Sequence, residues 1–322
     1  MQIVVLDRNT LTTGDLSLEP LAALGDGVRF LDTVPPAKVA EAIGPAEIVL
    51  CNKAPITQAV MDACPRLRYI GVCATGYNNV DLAAANARGI VVTNVPNYST
   101  DSVAQHAFAF ILHFACDIPR YNQAVLDGEW VRSPIFTYFP FPIIELSGKV
   151  LGIFGFGDIG RRVAQIGQAF GMRVLVNTRT IPSESTGVTF VDRETVFREA
   201  DFLTLHCPLT PQTEGLICRE TLAMMKKSAY LINTARGGLV VEQDLAEALN
   251  QGRIAGAGLD VLRTEPMSEA NPLPYAQRCL TTPHVAWASL EARGRLLGIA
   301  ADNVRAFLAG KSIHVVNQPF GK

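Results

Sequence analysis

Residues 149–180 read KVLGIFGFGDIGRRVAQIGQAFGMRVLVNTRT, and this stretch decides the fold of the chain. Its first part, residues 150–154, is a short apolar run typical of a buried strand, and three glycines in the spacing GxGxxG follow directly. Apolar side chains then recur at helical spacing, and a second apolar run occupies residues 173–176. The pattern predicts a strand, a tight turn, a helix and a second, parallel strand.

The three glycines, Gly155, Gly157 and Gly160, match the fingerprint of a dinucleotide-binding turn. Gly155 permits the sharp turn, Gly157 lets backbone amides approach a pyrophosphate, and Gly160 lets the helix pack against its strand. The helix N-terminus adds unpaired N–H groups and a partial positive charge, which stabilise an anion. The alternative is a glycine-rich turn without a ligand, but the complete strand, turn, helix and strand context favours a dinucleotide.

The end of the second predicted strand carries a signal about the cofactor. Proteins that bind NAD usually place Asp or Glu there, about 20 residues beyond the glycines, to accept hydrogen bonds from the ribose 2′-hydroxyl. This chain has Asn177 at that position, and Arg179 follows two residues later, where a guanidinium is placed to pair with a 2′-phosphate. We therefore expect NADP(H) to be favoured over NAD(H). The alternative is that Arg179 is a solvated loop arginine.

Length and composition indicate a folded protein of two domains. At 322 residues the chain is longer than one hydrophobic core usually supports, and its 48% hydrophobic and 18% charged residues suit a well-buried α/β protein. The formal net charge of −2 indicates no broad basic face, so nucleic acid is not an expected partner. No stretch approaches the ~20 apolar residues of a membrane span, so no membrane partner is expected either.

The cysteines and histidines bear on compartment and metal binding. The seven cysteines are scattered, and no two of them form a CxxC pair. Such a pattern is typical of small buried residues in a reducing compartment, so we expect a cytoplasmic protein. The five histidines include no pair at the spacing of metal ligands, so no metal site is predicted.

Residues 1–99 alternate short apolar runs with more polar stretches, which predicts a parallel sheet with crossover helices. Residues 73–81, CATGYNNVD, follow one such run and are expected at the carboxyl end of a strand, where open α/β sheets bind ligands. There Thr75 and Gly76 are placed to offer backbone N–H groups to a small carboxylate. An ordinary turn is an equally good interpretation of their spacing.

The remaining segments define the domain organisation. A long apolar segment, residues 100–116, predicts a helix that leads into the second domain, and its histidines are expected to be packed or hydrogen-bonded rather than catalytic. A last amphipathic helix is expected to return to the first domain. We therefore predict a discontinuous substrate domain of residues 1–99 and 289–322 and a dinucleotide-binding Rossmann domain of residues 100–288. The predicted fold class is α/β, with two Rossmann-like or flavodoxin-like domains, parallel sheets, and the active site in the interdomain cleft.

Residues 121–148 are expected to be irregular, because prolines interrupt the segment repeatedly. The segment is nevertheless rich in aromatic residues: Trp130, Phe136, Tyr138, Phe139 and Phe141. Exposed aromatic patches usually mark contact surfaces, so we predict that this segment is the arm of a homodimer.

Three polar side chains stand just after successive predicted strands: Arg236, Glu265 and His284. A nicotinamide cofactor handles the hydride and needs a partner for the proton, and histidine exchanges protons near neutral pH. Glu265 is suited to stabilise and orient the protonated ring, and Arg236 to clamp a substrate carboxylate. Each of the three, taken singly, is also compatible with a surface or loop residue. His206 follows another strand, and spacing alone does not decide between His206 and His284 as acid and base.

Five motifs in order resemble the D-isomer-specific 2-hydroxyacid dehydrogenases over nearly the whole chain: GFGDIG (155–160), HCPLTPQTEGLI (206–217), LINTARGGLVVEQDLAEAL (231–249), AGAGLDVLRTEP (255–266) and TPHVAW (282–287). Within that family the chain is most similar to glycerate dehydrogenases and to hydroxypyruvate or glyoxylate reductases. The resemblance implies that Arg236 binds substrate, that His284 is the proton donor or acceptor, and that Glu265 is its partner. His206 then becomes part of the cofactor wall.

The resemblance also implies the remaining contacts. Asp260 matches the residue that holds the nicotinamide carboxamide. The substrate contacts are Thr75, Gly76, Arg236 and His284, and the position of Trp287 makes it a further candidate. With the glycine turn and the strand end described above, the cofactor contacts are Gly155, Gly157, Asp158, Ile159, Gly160, Asn177, Arg179, His206, Cys207, Pro208, Thr213, Thr234, Ala235, Arg236, Asp260 and His284.

The expected reaction is hydride transfer between NAD(P)H and a small 2-keto acid, from hydroxypyruvate or glyoxylate to D-glycerate or glycolate. Trp287, three residues after His284, is placed to close a small pocket and so to favour short substrates; an ordinary core tryptophan is the alternative. Family members are typically dimers through the nucleotide domain, which agrees with the aromatic segment. The alternative function is a dinucleotide-sensing interaction protein, like the corepressors that share this fold. Against it, the chain has the complete catalytic trio and no extended disordered tail.

Overall fold

The computed structural model describes residues 1–183 and 187–319. The chain divides into two compact units, one formed by Met1–Ser99 together with the segment from Ala288 onward, and the other by Thr100–Trp287. Each unit contains one sheet, and the strands of both sheets pair in parallel. The predicted α/β class with two parallel sheets is therefore confirmed.

Five strands form the sheet of the first unit: β1 (Ile3–Val5), β2 (Val28–Phe30), β3 (Ile48–Cys51), β4 (Tyr69–Val72) and β5 (Val91–Thr93). Their spatial order is β2-β1-β3-β4-β5, as in flavodoxin-like domains. The central strands β3 and β4 are buried along their whole length, because helices cover both faces of a parallel sheet. The helices of this part are α1 (Arg8–Leu11), α2 (Glu19–Ala22), α3 (Val39–Ile43), α4 (Gln58–Ala63) and α5 (Leu82–Ala87).

In the described part of the second unit, seven strands form the sheet: β6 (Val150–Phe154), β7 (Arg173–Asn177), β8 (Thr189–Phe190), β9 (Phe202–Leu205), β10 (Tyr230–Asn233), β11 (Gly256–Leu259) and β12 (Cys279–Thr281). The helices are α6 (Thr100–Cys116), α7 (Ile118–Leu126), α8 (Asp158–Ala169), α9 (Arg193–Glu199), α10 (Arg219–Met224) and α11 (Glu242–Asn250). The chain then returns to the first unit with α12 (Leu290–Leu308). Short 3₁₀ helices occupy Pro36–Lys38, Gly237–Leu239 and Leu273–Tyr275.

The strand order of the second sheet, β12-β11-β10-β9-β6-β7-β8, determines where this unit can bind a ligand. The chain winds in one direction from β6 to β8 and in the other from β9 to β12. Ligands of open α/β sheets bind outside the carboxyl ends of the strands at such a switch point. The glycine turn follows β6, the central strand at this point, so the fold places it at the crevice.

The helix predicted for residues 100–116 is α6, and it packs on the sheet of the second unit. Gly258 in β11 makes room for the helix, because a Cβ there would lie 2.6 Å from the ring of Phe110. One turn further along, Phe114 stacks on Tyr230 of β10 with 4.8 Å between ring centroids. These contacts fix α6 against the strands whose ends carry the predicted catalytic residues.

The segment predicted to be irregular, residues 121–148, is partly helical, because α7 extends to Leu126. The prolines that disfavour a helix stand later in the segment, whereas Pro119 lies in the first turn of α7, where proline is tolerated. From Asp127 to Gly148 the chain forms turns and irregular structure, as predicted. None of the helices in the described ranges is both long and apolar enough to cross a membrane.

Candidate active site

The glycine turn between β6 and α8 has the geometry of a dinucleotide-binding turn. Gly155 has φ +92°, a left-handed backbone that favours glycine, and a Cβ there would lie 2.6 Å from the backbone N of Cys207. A Cβ at Gly160 would overlap the carbonyl oxygen of Gly155. At Gly157, by contrast, a Cβ would meet no atom within 4 Å. The first and third glycines therefore allow close packing, and the second faces open space.

The N-terminus of α8 is open to an anion. The helix begins at Asp158, and its N-cap residue is Gly157, which has no side chain that can cap the first turn. Asp158 is exposed and Ile159 is half-buried. The N–H groups of the first turn and their partial positive charge are thus available beside the open space at Gly157. These residues fit the pyrophosphate of a dinucleotide.

The end of β7 carries a neutral amide and a cation instead of an acid. The carbonyl oxygen of Asn177 accepts a hydrogen bond of 2.9 Å from the backbone N of Gly155, which ties this strand end to the glycine turn. Nδ2 of Asn177 donates to the carbonyl oxygen of Val191 at 2.9 Å. Arg179 is exposed two residues later. The amide of Asn177 therefore holds the strand end, and Arg179 is the cation beside it.

His206 follows β9, and its backbone N donates to the carbonyl oxygen of Phe154 at 2.8 Å. Its Nε2 forms a hydrogen bond of 2.7 Å with Oγ1 of Thr204. The His206 side chain is half-buried. The protein atoms packed around the ring disfavour its charged form, and this burial lowers the pKa of His206 to about 3. At neutral pH the ring is uncharged, so it cannot supply a proton as an imidazolium.

The segment after His206 contains the other residues predicted for the cofactor wall. Oγ1 of Thr213 donates to the carbonyl oxygen of Pro208 at 2.7 Å and accepts a hydrogen bond of 2.8 Å from the backbone N of Thr210. Burial raises the pKa of the Cys207 thiol, so this cysteine is a neutral side chain at the base of the turn. The contacts hold the segment in a compact turn whose first residues lie against Gly155.

A turn after β10 contains Thr234, Ala235 and Arg236. The side chain of Asn233, the last residue of β10, holds this turn by two hydrogen bonds. Oδ1 of Asn233 accepts from the backbone N of Ala235 at 3.0 Å, and its Nδ2 donates to the carbonyl oxygen of Arg236 at 2.9 Å. Oγ1 of Thr234 is buried and lacks a hydrogen-bond partner within the described part of the chain. Because such a buried hydroxyl is unfavourable, a ligand that bonds to it would be stabilised here. The observation fits the nicotinamide end of a dinucleotide.

Glu265 and His284 form a hydrogen-bonded pair. Nδ1 of His284 lies 2.7 Å from Oε2 of Glu265, which is also within ion-pair distance. The other carboxylate oxygen, Oε1, accepts a hydrogen bond of 3.0 Å from the backbone N of Leu262. Since Nδ1 faces the carboxylate, Nε2 is the ring nitrogen that remains for a substrate. The arrangement fits the predicted acid–base histidine with a carboxylate that orients it.

A cavity of about 190 Å³ brings the three predicted catalytic side chains together. Its lining residues are Leu209, Arg236, Gly237, Gly238, Val261, Leu262, Arg263, Glu265 and His284. Nη1 of Arg236 donates to the carbonyl oxygen of Ala235 at 2.7 Å, which holds the half-buried side chain beside its own turn. The cavity is smaller than the ~300–1,000 Å³ typical of pockets for drug-sized ligands. It suits a ligand of few atoms.

Asp260, predicted to hold the nicotinamide carboxamide, is buried and carries several hydrogen bonds within the protein. Its Oδ1 accepts from Oγ1 of Thr282 at 2.6 Å and from the backbone N of Val285 at 2.8 Å. Its Oδ2 accepts from the backbone N of Ala286 at 2.9 Å. We call residues 282–287 the His284 loop. Asp260 therefore organises this loop, and its contact with a cofactor stays a prediction.

Trp287, at the end of the His284 loop, is half-buried. Its Nε1 donates to the carbonyl oxygen of His284 at 2.9 Å, so the indole is held against the backbone of His284.

Within the first unit, Oγ1 of Thr75 donates to the carbonyl oxygen of Val95 at 3.0 Å, which fixes the loop containing Thr75 and Gly76 near the end of β5. The substrate contacts of these residues stay predictions.

Two residues that hold the site were missed by sequence reasoning, Asn233 and Glu242. Oε1 of Glu242 accepts from the backbone N of Arg263 at 2.7 Å, and Oε2 accepts from Nδ2 of Asn271 at 2.9 Å. Glu242 thus anchors both ends of the segment that contains Glu265. The signal available for Asn233 was an amide at the end of a buried strand, directly before a turn with a candidate arginine. Glu242 had no such signal, because it is distant in sequence from the segment that it holds.

The cysteines form neither a disulfide nor, together with His, Asp and Glu, a metal-binding cluster in the described part of the chain. The seven cysteines carry free thiols, and burial raises the pKa of Cys73 to about 12. Within residues 1–183 and 187–319, no group of three or more His, Cys, Asp and Glu side chains is arranged to hold a metal ion.

Comparison with known proteins identifies the family. The family model of the D-isomer specific 2-hydroxyacid dehydrogenase, NAD binding domain, matches residues 108–286, which lie within the second unit. A hydroxypyruvate reductase from Blautia hydrogenotrophica is 42% identical over 322 aligned residues, which cover 99% of this chain and 100% of that protein. A glycerate dehydrogenase from Methylorubrum extorquens is 40% identical over 317 residues, which cover 98% of each protein.

A solved structure gives the same result. The NADPH-dependent glyoxylate/hydroxypyruvate reductase from Sinorhizobium meliloti, in complex with NADP and malonate, superimposes with a TM-score of 0.83 at 30% identity, and the match covers 99% of this chain and 97% of that one. These relatives are all enzymes, so they give no support to the corepressor-like alternative. The chain therefore belongs to the family of D-isomer specific 2-hydroxyacid dehydrogenases, NAD(P)-dependent oxidoreductases that act on the CH–OH group of their donors.

Proposed function

We propose that this protein reduces hydroxypyruvate and glyoxylate, giving D-glycerate and glycolate. The observation that carries the proposal is the 2.7 Å hydrogen bond between Nδ1 of His284 and Glu265, formed in a small cavity that Arg236 also lines. The relatives named above as hydroxypyruvate reductase, glycerate dehydrogenase and glyoxylate/hydroxypyruvate reductase support the choice of substrates.

His284 exchanges the proton of the reaction. When bound, NAD(P)H supplies the hydride that reaches the keto carbon. Glu265 accepts the hydrogen bond of the Nδ1–H group and balances the charge of the imidazolium, so the mobile proton is the one on Nε2. In reduction, Nε2 gives this proton to the substrate oxygen; in oxidation, it takes the proton back. His206, the competing histidine, is uncharged at neutral pH because burial lowers its pKa to about 3.

Arg236 binds the substrate carboxylate. A guanidinium offers paired N–H groups that match the two oxygens of a carboxylate, and its charge also polarises the adjacent carbonyl. Asn233 holds the turn that carries Arg236, so the backbone from which the guanidinium extends is fixed beside the cavity. The cavity of about 190 Å³ accommodates a short 2-keto acid. The indole of Trp287, which is hydrogen-bonded to the carbonyl oxygen of His284, adds bulk on the same loop.

The preferred cofactor in this proposal is NADP(H). Asn177 replaces the acid that would repel a 2′-phosphate, and its amide is bonded to Val191 O. Exposed Arg179 supplies the pairing charge. The pyrophosphate is assigned to the turn from Gly155 to Gly160 and the nicotinamide end to Thr234. The NADPH-dependent reductase from Sinorhizobium meliloti, with its bound NADP, supports this preference.

The remaining parts of the proposal concern organisation. We assign residues 100–288 to dinucleotide binding, which the family match to residues 108–286 supports, and residues 1–99 with 289–322 to the substrate domain. The exposed aromatic segment after α7 supports a homodimer. A cytoplasmic location stays a prediction from the cysteine pattern.

The proposal is tested by following the absorbance of the reduced nicotinamide with hydroxypyruvate, glyoxylate and phenylpyruvate, each with NADPH and with NADH. We expect rapid oxidation with the two short acids, slower oxidation with phenylpyruvate, and D-glycerate as the product of hydroxypyruvate on a chiral column. His284→Ala should lower turnover by about 10²-fold or more, the usual scale for a general acid. Absence of oxidation with both short acids, or faster turnover of phenylpyruvate, would contradict the proposed substrates.

A further inference from the structure

We infer that Ser102 and His106 of α6 are positioning residues that hold the His284 loop in its reactive arrangement. Sequence reasoning assigned His106 to packing or hydrogen bonding without a role in the reaction. The inference rests on the proposed function, because it needs His284 to be the acid and base. It adds a part of the molecule, the first two turns of α6, that is remote in sequence from every residue of the proposed site.

The first contact runs from His106 to Asp260 through Thr282. Nε2 of His106 lies 3.0 Å from Oγ1 of Thr282, and this hydroxyl donates its hydrogen to Oδ1 of Asp260 at 2.6 Å. Since Thr282 has one hydroxyl hydrogen and donates it to Asp260, it accepts from His106, which therefore carries its proton on Nε2. Nε2 is also 3.7 Å from Oδ1 of Asp260. His106 thus stabilises the position of the Asp260 carboxylate through Thr282, from the side of α6.

Asp260 passes this constraint to the backbone around His284. Its carboxylate accepts hydrogen bonds from the backbone N of Val285 and of Ala286, the two residues that follow His284. Its carbonyl oxygen accepts from the backbone N of His284 itself at 2.8 Å. A shift of this carboxylate therefore moves the backbone on which the His284 ring is mounted.

The second contact comes from Ser102, one turn before His106 on the same face of α6. Oγ of Ser102 donates to the carbonyl oxygen of Ala286 at 2.6 Å, and both residues are buried. Ala286 is thereby held at both polar groups, its N–H by Asp260 and its carbonyl by Ser102. The helix holds the His284 loop at two places, and the packing of α6 on the sheet makes the helix a firm support.

The backbone of His284 shows why such a support is needed. Its φ is +55°, in the left-handed region that residues with a Cβ adopt at a cost of ~1 kcal/mol or more. A loop with such a residue keeps its conformation only when neighbouring contacts determine it. The hydrogen bonds from α6 and Asp260 are those contacts, so their loss should displace the Nε2 atom that exchanges the proton.

Two substitutions of His106 separate its hydrogen bond from its packing. The ring meets Phe110 edge-on, with centroids 5.0 Å apart, so His106→Phe keeps an aromatic ring and removes the donor. His106→Gln places an N–H near the position of Nε2 and keeps the donor. His113 is the matched control, because it is half-buried on the same helix and meets Phe114 edge-on with centroids 5.5 Å apart.

We expect His106→Phe to lower kcat for hydroxypyruvate by about tenfold, since small misplacements of a reacting group cost this much or more, with KM for NADPH changed less than about twofold. His106→Gln should restore most of the rate, and His113→Phe should retain it. The decisive measurement repeats His106→Phe in a His284→Ala background. There it should change the residual rate less than about twofold, because no ring is left to position.

Three results would overturn the inference. A wild-type kcat for His106→Phe, while His284→Ala is slow, removes His106 from the mechanism and leaves the proposed function intact. An equal loss from His106→Phe in both backgrounds shows that His106 supports the fold rather than the ring. A wild-type rate for His284→Ala overturns both proposals. If His106→Phe does not fold, Thr282→Val compared with Thr282→Ser tests the hydroxyl that links His106 to Asp260. Equal rates for that pair would count against the inference.

Discussion

Nδ1 of His284 and Oε2 of Glu265 lie 2.7 Å apart, and the side chains are 32% and 38% exposed. Because the pair is so exposed, its contribution to the free energy of unfolding is expected to be small. Its effect is directional: the backbone N of Leu262 holds the other carboxylate oxygen, so the carboxylate, and with it the ring, has a fixed orientation. The pair should therefore matter for turnover far more than for stability.

Glu265→Gln tests this directly, since glutamine has the same shape but no charge. We expect kcat for hydroxypyruvate to fall by ~10–100-fold, because the imidazolium loses the carboxylate that stabilises it. The midpoint of thermal unfolding should change by less than about 2 °C. Glu269→Gln, an exposed residue of the same segment, is the control and should retain full activity. A wild-type kcat for Glu265→Gln would show that the pair has no part in proton exchange.

Much of the fold could be predicted from the sequence because it depends on local signals. The apolar run of β6, the glycine turn and the helical spacing of α8 lie within one short stretch, and each has a physical requirement that the residues meet. Arg236, Glu265 and His284 each follow a strand of the same parallel sheet, and the strands of such a sheet all point one way. Their meeting in one cavity could therefore be predicted, although they are distant in sequence.

What could not be predicted depends on contacts between distant residues. Strands β2 and β8, each at one edge of its sheet, are short and partly exposed, and neither has a continuous apolar run that would predict it. The amide of Asn233, the carboxylate of Glu242 and the ring of His106 act through hydrogen bonds to backbone groups or side chains whose positions only the folded chain defines. A sequence shows that such side chains can bond, but not which group they reach.

Acid should destabilise the protein partly through His206. Burial lowers its pKa from 6.5 to about 3 in the folded state. Between about pH 6.5 and about pH 3 the unfolded chain binds a proton that the folded chain does not, so the free energy of unfolding falls as the pH is lowered. For one group the slope is at most ~1.4 kcal/mol per pH unit.

His206→Gln removes this titration and should make the free energy of unfolding less dependent on pH in that window. Urea unfolding at a series of pH values measures the dependence, and His113→Gln controls for the loss of a histidine elsewhere in the unit. An unchanged slope for His206→Gln would show that the ring is not held in its neutral form by burial.

Cofactor preference should depend on Arg179. Loss of a charge-assisted contact with a 2′-phosphate should raise the Kd for NADPH by about tenfold or more in Arg179→Ala, while the Kd for NADH changes less than about twofold. Arg173→Ala is the matched control, because Arg173 is an exposed arginine at the other end of the same strand, paired with Glu199. Titration of each variant with both nucleotides, followed by nicotinamide fluorescence, gives the four constants. Equal losses of NADPH and NADH affinity would mean that Arg179 does not recognise the phosphate.

The segment from Asp127 to Gly148 should mediate dimer formation. Several of its apolar side chains are exposed, and Val131 and Phe136 are each 88% exposed. The segment is held by its own hydrogen bonds, such as the bond of 3.0 Å from Nε1 of Trp130 to the carbonyl oxygen of Phe136. An ordered apolar surface of this kind is typical of an interface. We expect a dimeric mass by light scattering at micromolar concentration.

Phe136→Asp should shift that mass to the monomer, because a two-fold interface loses two buried rings, each contributing ~1.5–3 kcal/mol, and gains two buried charges. The backbone carbonyl that Trp130 bonds is unchanged, so the segment should keep its conformation. Tyr275→Asp, which alters an aromatic residue 82% exposed elsewhere in the same unit, should leave the dimer intact. If the unmodified protein is monomeric, or if both variants remain dimers, the aromatic segment is not the interface, and its exposed rings need another explanation.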